Sequence, residues 1–138
     1  MLGEHVIKCW SINQAVIALS SGEAEYYAMA KGASVGLGVR GMLADFGISG
    51  SNEIRTDSSA AKGISSRRGL GKVRHIELCE LWLQEKVAEG RITVTKIPGN
   101  ENISDCLTKA ASRESIALHM LGTHQVIRRE RHEIMPTI

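Results

Sequence analysis

Three acids, each on a different predicted element, stand where they could do chemistry: Glu25 in "LSSGEAEYYAM", Asp57 at the end of "NEIRTD" and Asp105 in "NISDCLTKA". Carboxylate oxygens suit hard cations. Mg2+ takes one or two of them, keeps several waters and leaves places for phosphate. Two such ions about 4 Å apart can activate a water and stabilise a leaving oxygen in phosphodiester cleavage. Each acid also has a plain structural reading. Asp57, before "SSAAKGI", suits a helix N-cap. Asp105, at the first turn of a helix, is favoured by the helix dipole. Glu25 suits the rim of a sheet, wet or paired with an arginine.

Glu25 has a neighbour, Glu23, and geometry separates the two. At about 100° per residue they lie about 200° apart around a helix. From Glu25 the same face runs through Met29, Gly32, Gly36, Val39, Leu43 and Phe46, an apolar or close-packing stripe. From Glu23 it runs through Tyr27, Ala30, Ser34, Gly38, Gly41 and Asp45, which is more polar. Ser20-Ser21-Gly22-Glu23 fits a capping box, with Ser20 as N-cap and Glu23 reaching back to its amide. Glu25 is therefore expected to face the sheet.

A basic segment supplies the second half of the chemistry. From Ser58 to Ile76 there is no acid, whereas Lys62, Arg67, Arg68, Lys72 and Arg74 are present with His75 beside them. Glycines 69 and 71 would let the backbone approach a ligand closely. Such a cluster suits a phosphate backbone, or reads simply as a solvated loop.

The elements that must position these groups follow from pattern. Residues 5–11 read as a short strand. A long helix runs from about Gly22 to Phe46 and ends at Gly47; glycines 32, 36, 38 and 41 within it imply close packing or a kink. Residues 52–57 form a strand, "SSAAKGIS" a short helix, and 65–74 a glycine-broken basic loop. "HIELCELWLQEKVAEG" is the clearest helix and "RITVTKIP" the clearest strand. "GNEN" is a turn, "ISDCLTKAAS" starts a further helix, and the chain from Arg113 is helical before a mixed-charge tail. Alternation of strands and helices argues for an α/β domain with a central sheet.

Composition sets bounds. The 138 residues suit one domain, with 43% apolar and 23% charged residues. The net charge of +2 is too small to argue for a polyanion partner by itself. No apolar run approaches the roughly 18 residues of a membrane span, and the N-terminus does not read as a secretory signal. Cys9, Cys79 and Cys106 are odd in number and far apart, which predicts buried free thiols in a reducing compartment.

At this point the chain resembles a known family, the ribonuclease H domain of copia-type LTR retrotransposon polyproteins. The stretches that carry the resemblance are "WSINQAVIALSSGEAEYYAMAKGA", "IRTDSSAAKGIS" and "GKVRHIELCELWLQEKVAEGRITVTKIPGNENISDCLTKA", covering roughly residues 8–110. The resemblance implies a ribonuclease H-like three-layer α/β fold with a central mixed sheet. It implies hydrolysis of the RNA strand of RNA–DNA hybrids with two Mg2+ ions, for which Mn2+ can substitute. It matches Glu25, Asp57 and Asp105 to the family's catalytic and metal-binding acids, and Arg74-His75-Ile76 to its basic-His-Ile stretch. Arg67, Arg68, Lys72, Arg74 and His75 are then the nucleic-acid-binding residues. Hybrid recognition would rest on shape and 2′-hydroxyls more than on base sequence. The partners implied are the hybrid and a covalently joined reverse transcriptase, with no membrane, in an intracellular retrotransposon particle.

Two departures qualify this. Asn100, in "PGNEN", stands where cellular ribonucleases H carry a histidine. The family's first aspartate, on its first strand, has no counterpart here: upstream of Glu25 the only acids are Glu4 and Glu23. The expectation is a partial ribonuclease H-like domain over residues 1–112, lacking the first one or two strands, followed by a helical, charged tail over 113–138. Catalysis by the chain alone is expected to be absent or impaired. The alternatives are a non-catalytic nucleic-acid-binding or scaffolding remnant, and a fragment that does not fold alone.

Overall fold

The computed structural model describes residues 1–69, 71, 76, 81–107 and 110–125. Two compact units share the chain: Ile12–Asn102, and Met1–Ser11 together with Ile103–Ile138. The larger unit runs in the order α1 (Ser21–Asp45), β1 (Asn52–Thr56), α2 (Ser59–Ser65), α3 (Trp82–Ala88) and β2 (Ile92–Lys96). The smaller holds a 3-10 turn at Asp105–Leu107 and α4 (Arg113–Gly122).

The two strands pair in parallel, from Asn52 opposite Ile92 to Thr56 opposite Lys96. A parallel pair cannot be closed by a tight turn, so the chain must cross over between the strands; α2 and α3 lie on that crossover. The chain is mixed α/β, as expected. Among the described residues the sheet is two-stranded and wholly parallel, whereas a mixed sheet was predicted. Ile92 and Val94 alternate inward on β2, as predicted, and are 2% and 8% exposed. With Tyr26, Ala30, Ala33, Ala61, Ile64, Ile76 and Leu83 they form one core. Full burial of an aliphatic side chain such as Leu83 is worth about 1.5–3 kcal/mol.

Helix α1 begins and ends by recognisable chemistry. The Ser20 hydroxyl accepts a hydrogen bond from the Glu23 amide, as a cap should. At the far end Gly47 has φ +74°. Its amide donates to the Ala44 carbonyl, and the Ile48 amide donates to Leu43; this is the Schellman arrangement that glycine makes easy.

The packing face of α1 is not the one predicted. Gly22, Glu23, Tyr26, Tyr27, Met29, Ala30 and Ala33 are buried, whereas Phe46 is 80% exposed. The stripe through Glu23 and Tyr27 looks polar by residue type. A tyrosine ring is nonetheless a large apolar body once its hydroxyl has a partner. Burial is also confined to the first half of the helix. Three of the internal glycines are correspondingly not packing devices: a Cβ at Gly32, Gly38 or Gly41 would meet nothing described within 4 Å, and one at Gly36 would make ordinary contact with Asn52. The close approach is at Gly22, where a Cβ would fall 2.5 Å from that of Ala60.

Other expectations need correction. Residues 5–11 do not form a strand: their alternation is uneven, and the N-terminus has only an isolated antiparallel bridge, Leu2 to His5. Cys9 is exposed rather than buried, and Cys106 is half-buried. Of the helix expected to start in "ISDCLTKAAS", the described residues show a 3-10 turn, Asp105–Leu107. The predicted helix from His75 is described from Leu81 onward and closes at Gly90, φ +70°. Cys79 and the "RRERHE" stretch lie outside the described residues.

Two outcomes follow. Gly22→Ala is expected to lower stability by about 1–3 kcal/mol, because the added methyl overpacks against Ala60; thermal unfolding checks it. Glu53 on β1 is held below the ordinary carboxylate range by hydrogen bonds from Thr95 and then Arg55. A lowered folded-state pKa contributes stability above the ordinary carboxylate range that is lost as pH falls through the lowered value. The stability difference between wild type and Glu53→Gln should therefore be small at pH 7, since the pair is solvent-screened, and vanish once the pH has fallen through the lowered value.

Candidate functional site

Parallel pairing brings the carboxyl ends of β1 and β2 to one edge, where α/β sheets commonly carry function. Asp57 follows β1 directly and is half-buried. The capping role open to it is taken by its neighbour: the Ser58 hydroxyl accepts from the Ala61 amide at 3.1 Å. The Ser58 amide in turn donates to the Thr56 hydroxyl oxygen. Among the described residues the Asp57 carboxylate has no hydrogen-bond or ion-pair partner. It is bounded on one side by the turn after β2, where a Cβ on Gly99 would sit 3.5 Å from Asp57 Oδ2.

Lys96 ends β2 opposite Thr56, and its ammonium donates to the Ser59 hydroxyl at the start of α2. A cation thus stands at the same sheet edge as Asp57. Sequence reasoning did not single it out. The available signal was its place as the last residue of the clearest strand, immediately before the "IPGN" turn.

The two glutamates of α1 are reversed with respect to expectation. Glu23, expected on the polar face, is 1% exposed. Its carboxylate accepts from the Leu19 amide at 2.9 Å and from the Tyr27 hydroxyl at 3.0 Å. The capping box therefore closes one residue earlier than predicted, on Leu19 rather than Ser20. Glu25, expected to face the sheet, is exposed. Gly22, three residues before it, packs on Ala60, three residues after Asp57.

Asp105 belongs to the smaller unit, where it opens the 3-10 turn and is half-buried. That turn is tied to α4 locally. The His119 ring Nδ1 lies 2.7 Å from the Ile103 carbonyl, and Gly122 leaves room for the Ile103 side chain. Of the basic residues, Arg67 is half-buried and Arg68 exposed. A Cβ on Gly71, φ +56°, would fall 2.7 Å from the Arg67 guanidinium, so that side chain lies across the glycine. Lys72, Arg74 and His75 lie outside the described residues. A cleft of about 200 Å3, lined by Tyr27, Ala30, Lys31, Ser34 and Trp82, contains none of the predicted site residues.

Among the described residues no three His, Cys, Asp or Glu side chains gather to hold a metal ion. The donor chemistry at Asp57 nevertheless suits a hard cation. A half-buried carboxylate uncommitted to protein partners is what Mg2+ uses when waters and substrate phosphate fill its other positions.

Over 115 residues, 80% of its length, the chain is 30% identical to the retrovirus-related Pol polyprotein from transposon TNT 1-94 of Nicotiana tabacum. The chain is similar to a retrotransposon polyprotein. It spans 9% of the length of that relative, so the match covers a small part of a long chain. No family model matches the sequence, and no solved structure matches it. Similarity to a polyprotein fits a domain joined to others on one chain. Among the described residues no helix is long and apolar enough to cross a membrane.

The contrast between the glutamates is measurable. Glu23→Ala should cost about 1–3 kcal/mol, because two donors lose their acceptor at a buried site. Glu25→Gln should change stability by less than about 0.5 kcal/mol, as exposed substitutions do. Paired chemical-denaturation curves separate the two.

Proposed function

We infer that this chain is a ribonuclease H-like part of a retrotransposon polyprotein, acting on RNA–DNA hybrids. The observation that carries the reading is Asp57, half-buried at the carboxyl end of a parallel strand and relieved of capping by Ser58. Similarity to a Pol polyprotein supports it.

In this reading Asp57 and Glu25 hold Mg2+; Asp105, which the resemblance also matches to the family's acids, belongs to the smaller unit. When bound, the ion would neutralise phosphate charge and make water a better nucleophile. The chain's own residues bind and orient. Arg68 offers an exposed guanidinium to the phosphate backbone, and Arg67 adds positive charge beside it. Lys96, held by Ser59, places a further cation at the same sheet edge as Asp57. The exposure of Glu25 suits a ligand whose other coordination positions are water and substrate.

The test has two readouts. Mn2+ binding, followed by electron paramagnetic resonance, should weaken about tenfold or more in Asp57→Asn, since an electrostatically assisted ligand is lost. Glu25→Gln and Asp105→Asn are measured alongside. A labelled hybrid should bind the chain with an affinity that falls steeply as salt rises. Unchanged Mn2+ affinity in Asp57→Asn would remove the metal site from the reading. Mg2+-dependent cleavage by the wild-type chain alone, abolished in Glu25→Gln, would place complete catalysis within these 138 residues. It would also overturn the expectation that a further aspartate is required.

A further inference from the structure

The basic loop after α2 is held by a side chain that the functional reading does not use. Gln84, on α3, is 5% exposed, although glutamine is mostly found at surfaces. Its amide nitrogen donates to the Ile64 carbonyl at 2.9 Å and to the Gly69 carbonyl at 3.1 Å. Its amide oxygen accepts from the Gly69 N–H at 2.8 Å. One carboxamide thus satisfies both backbone groups of Gly69 and a carbonyl of α2, across 15 and 20 residues of chain.

Gly69 has φ +80°, a conformation open to glycine and rare for other residues, so the turn that Gln84 grips is one that a glycine makes. The clamp fixes the loop at the residue immediately after Arg67 and Arg68. Those two are then presented from a backbone anchored on both sides, by α2 before and by Gln84 after. A buried carboxamide with its donors and acceptor matched also has little freedom to flip or leave.

We propose that Gln84 is a positioning residue for polyanion binding: it clamps Gly69 and so holds the Arg67–Arg68 pair in the orientation that meets a phosphate backbone. This rests on the nucleic-acid reading given above. The expected consequence is that a loop made mobile at Gly69 must be ordered on binding, and affinity falls by that cost.

Gln84→Leu removes all three hydrogen bonds at similar size. Gln84→Glu keeps the acceptor for the Gly69 N–H but turns an oxygen toward the Ile64 and Gly69 carbonyls; protonation of that carboxyl restores one donor. The experiment measures hydrogen exchange at the Gly69 amide without nucleic acid, then the affinity of the same 138-residue proteins for a short RNA–DNA hybrid across a salt series. Gly69 exchange should quicken about tenfold or more at pH 7 in both variants, as a local opening. In Gln84→Glu it should slow again, relative to intrinsic exchange, once the carboxyl protonates. Hybrid affinity in Gln84→Leu should drop about tenfold with a salt slope shallower by about one, and Arg68→Ala in that background should add little. Should Gln84→Leu fail to melt cooperatively, the acid recovery of Gln84→Glu decides the clamp. Unchanged Gly69 exchange overturns the clamp. Faster exchange with unchanged hybrid affinity overturns the positioning role. A wild-type chain that binds no hybrid overturns the nucleic-acid reading and the positioning role with it, and Gly69 exchange, read without nucleic acid, tells that failure from loss of the clamp alone.

Discussion

Parallel pairing of two five-residue strands is the constraint on which the larger unit depends. It places the carboxyl ends of β1 and β2 side by side, and so puts Asp57 and Lys96 at one edge. It also obliges the chain to leave the sheet and return, because parallel neighbours need a long connection. That crossover is where α2, the basic loop and α3 are found. The candidate acid, the basic loop and the side chain that clamps it therefore share one cause.

Local hydrogen bonding then divides the labour between neighbouring residues. Ser58 caps α2, which leaves the adjacent aspartate uncommitted. Ser20 caps α1, while Glu23 covers the amide before it and a tyrosine hydroxyl four residues after. Ser112 caps α4 in the same way, accepting from the Ser115 amide. Among the described residues each helix start with a side-chain cap uses a serine.

Much of the architecture was legible in the sequence. The long helix ends at Gly47 because only a residue at ease with positive φ completes that turn, and the glycine announces it. Strand β2 was readable because Ile92 and Val94 alternate with threonines. The strand end at Asp57 was readable from the β-rich "NEIRT" run. What was not legible was the inward face of α1. A residue-type count treats Tyr27 as polar, and nothing local says that Glu23 will take its hydroxyl and let the ring be buried. Lys96 was missed for a related reason. Its significance comes from the neighbouring strand, 40 residues earlier, and pairing between distant segments is invisible to a local pattern. Gln84 was unremarkable in sequence for the same cause: its three partners lie on α2 and in the loop.

The double engagement of Glu23 has a consequence for reading motifs of this kind. Its two oxygens reach in opposite directions along the chain, back to Leu19 and forward to Tyr27. An aspartate, one methylene shorter, has the charge without the span. The position is therefore governed by side-chain length, whereas the acid two residues on is exposed. Two identical letters in one short motif can thus sit in unlike surroundings, one buried and doubly hydrogen-bonded and one exposed. Their equal prominence in a sequence says nothing about which of them does chemistry.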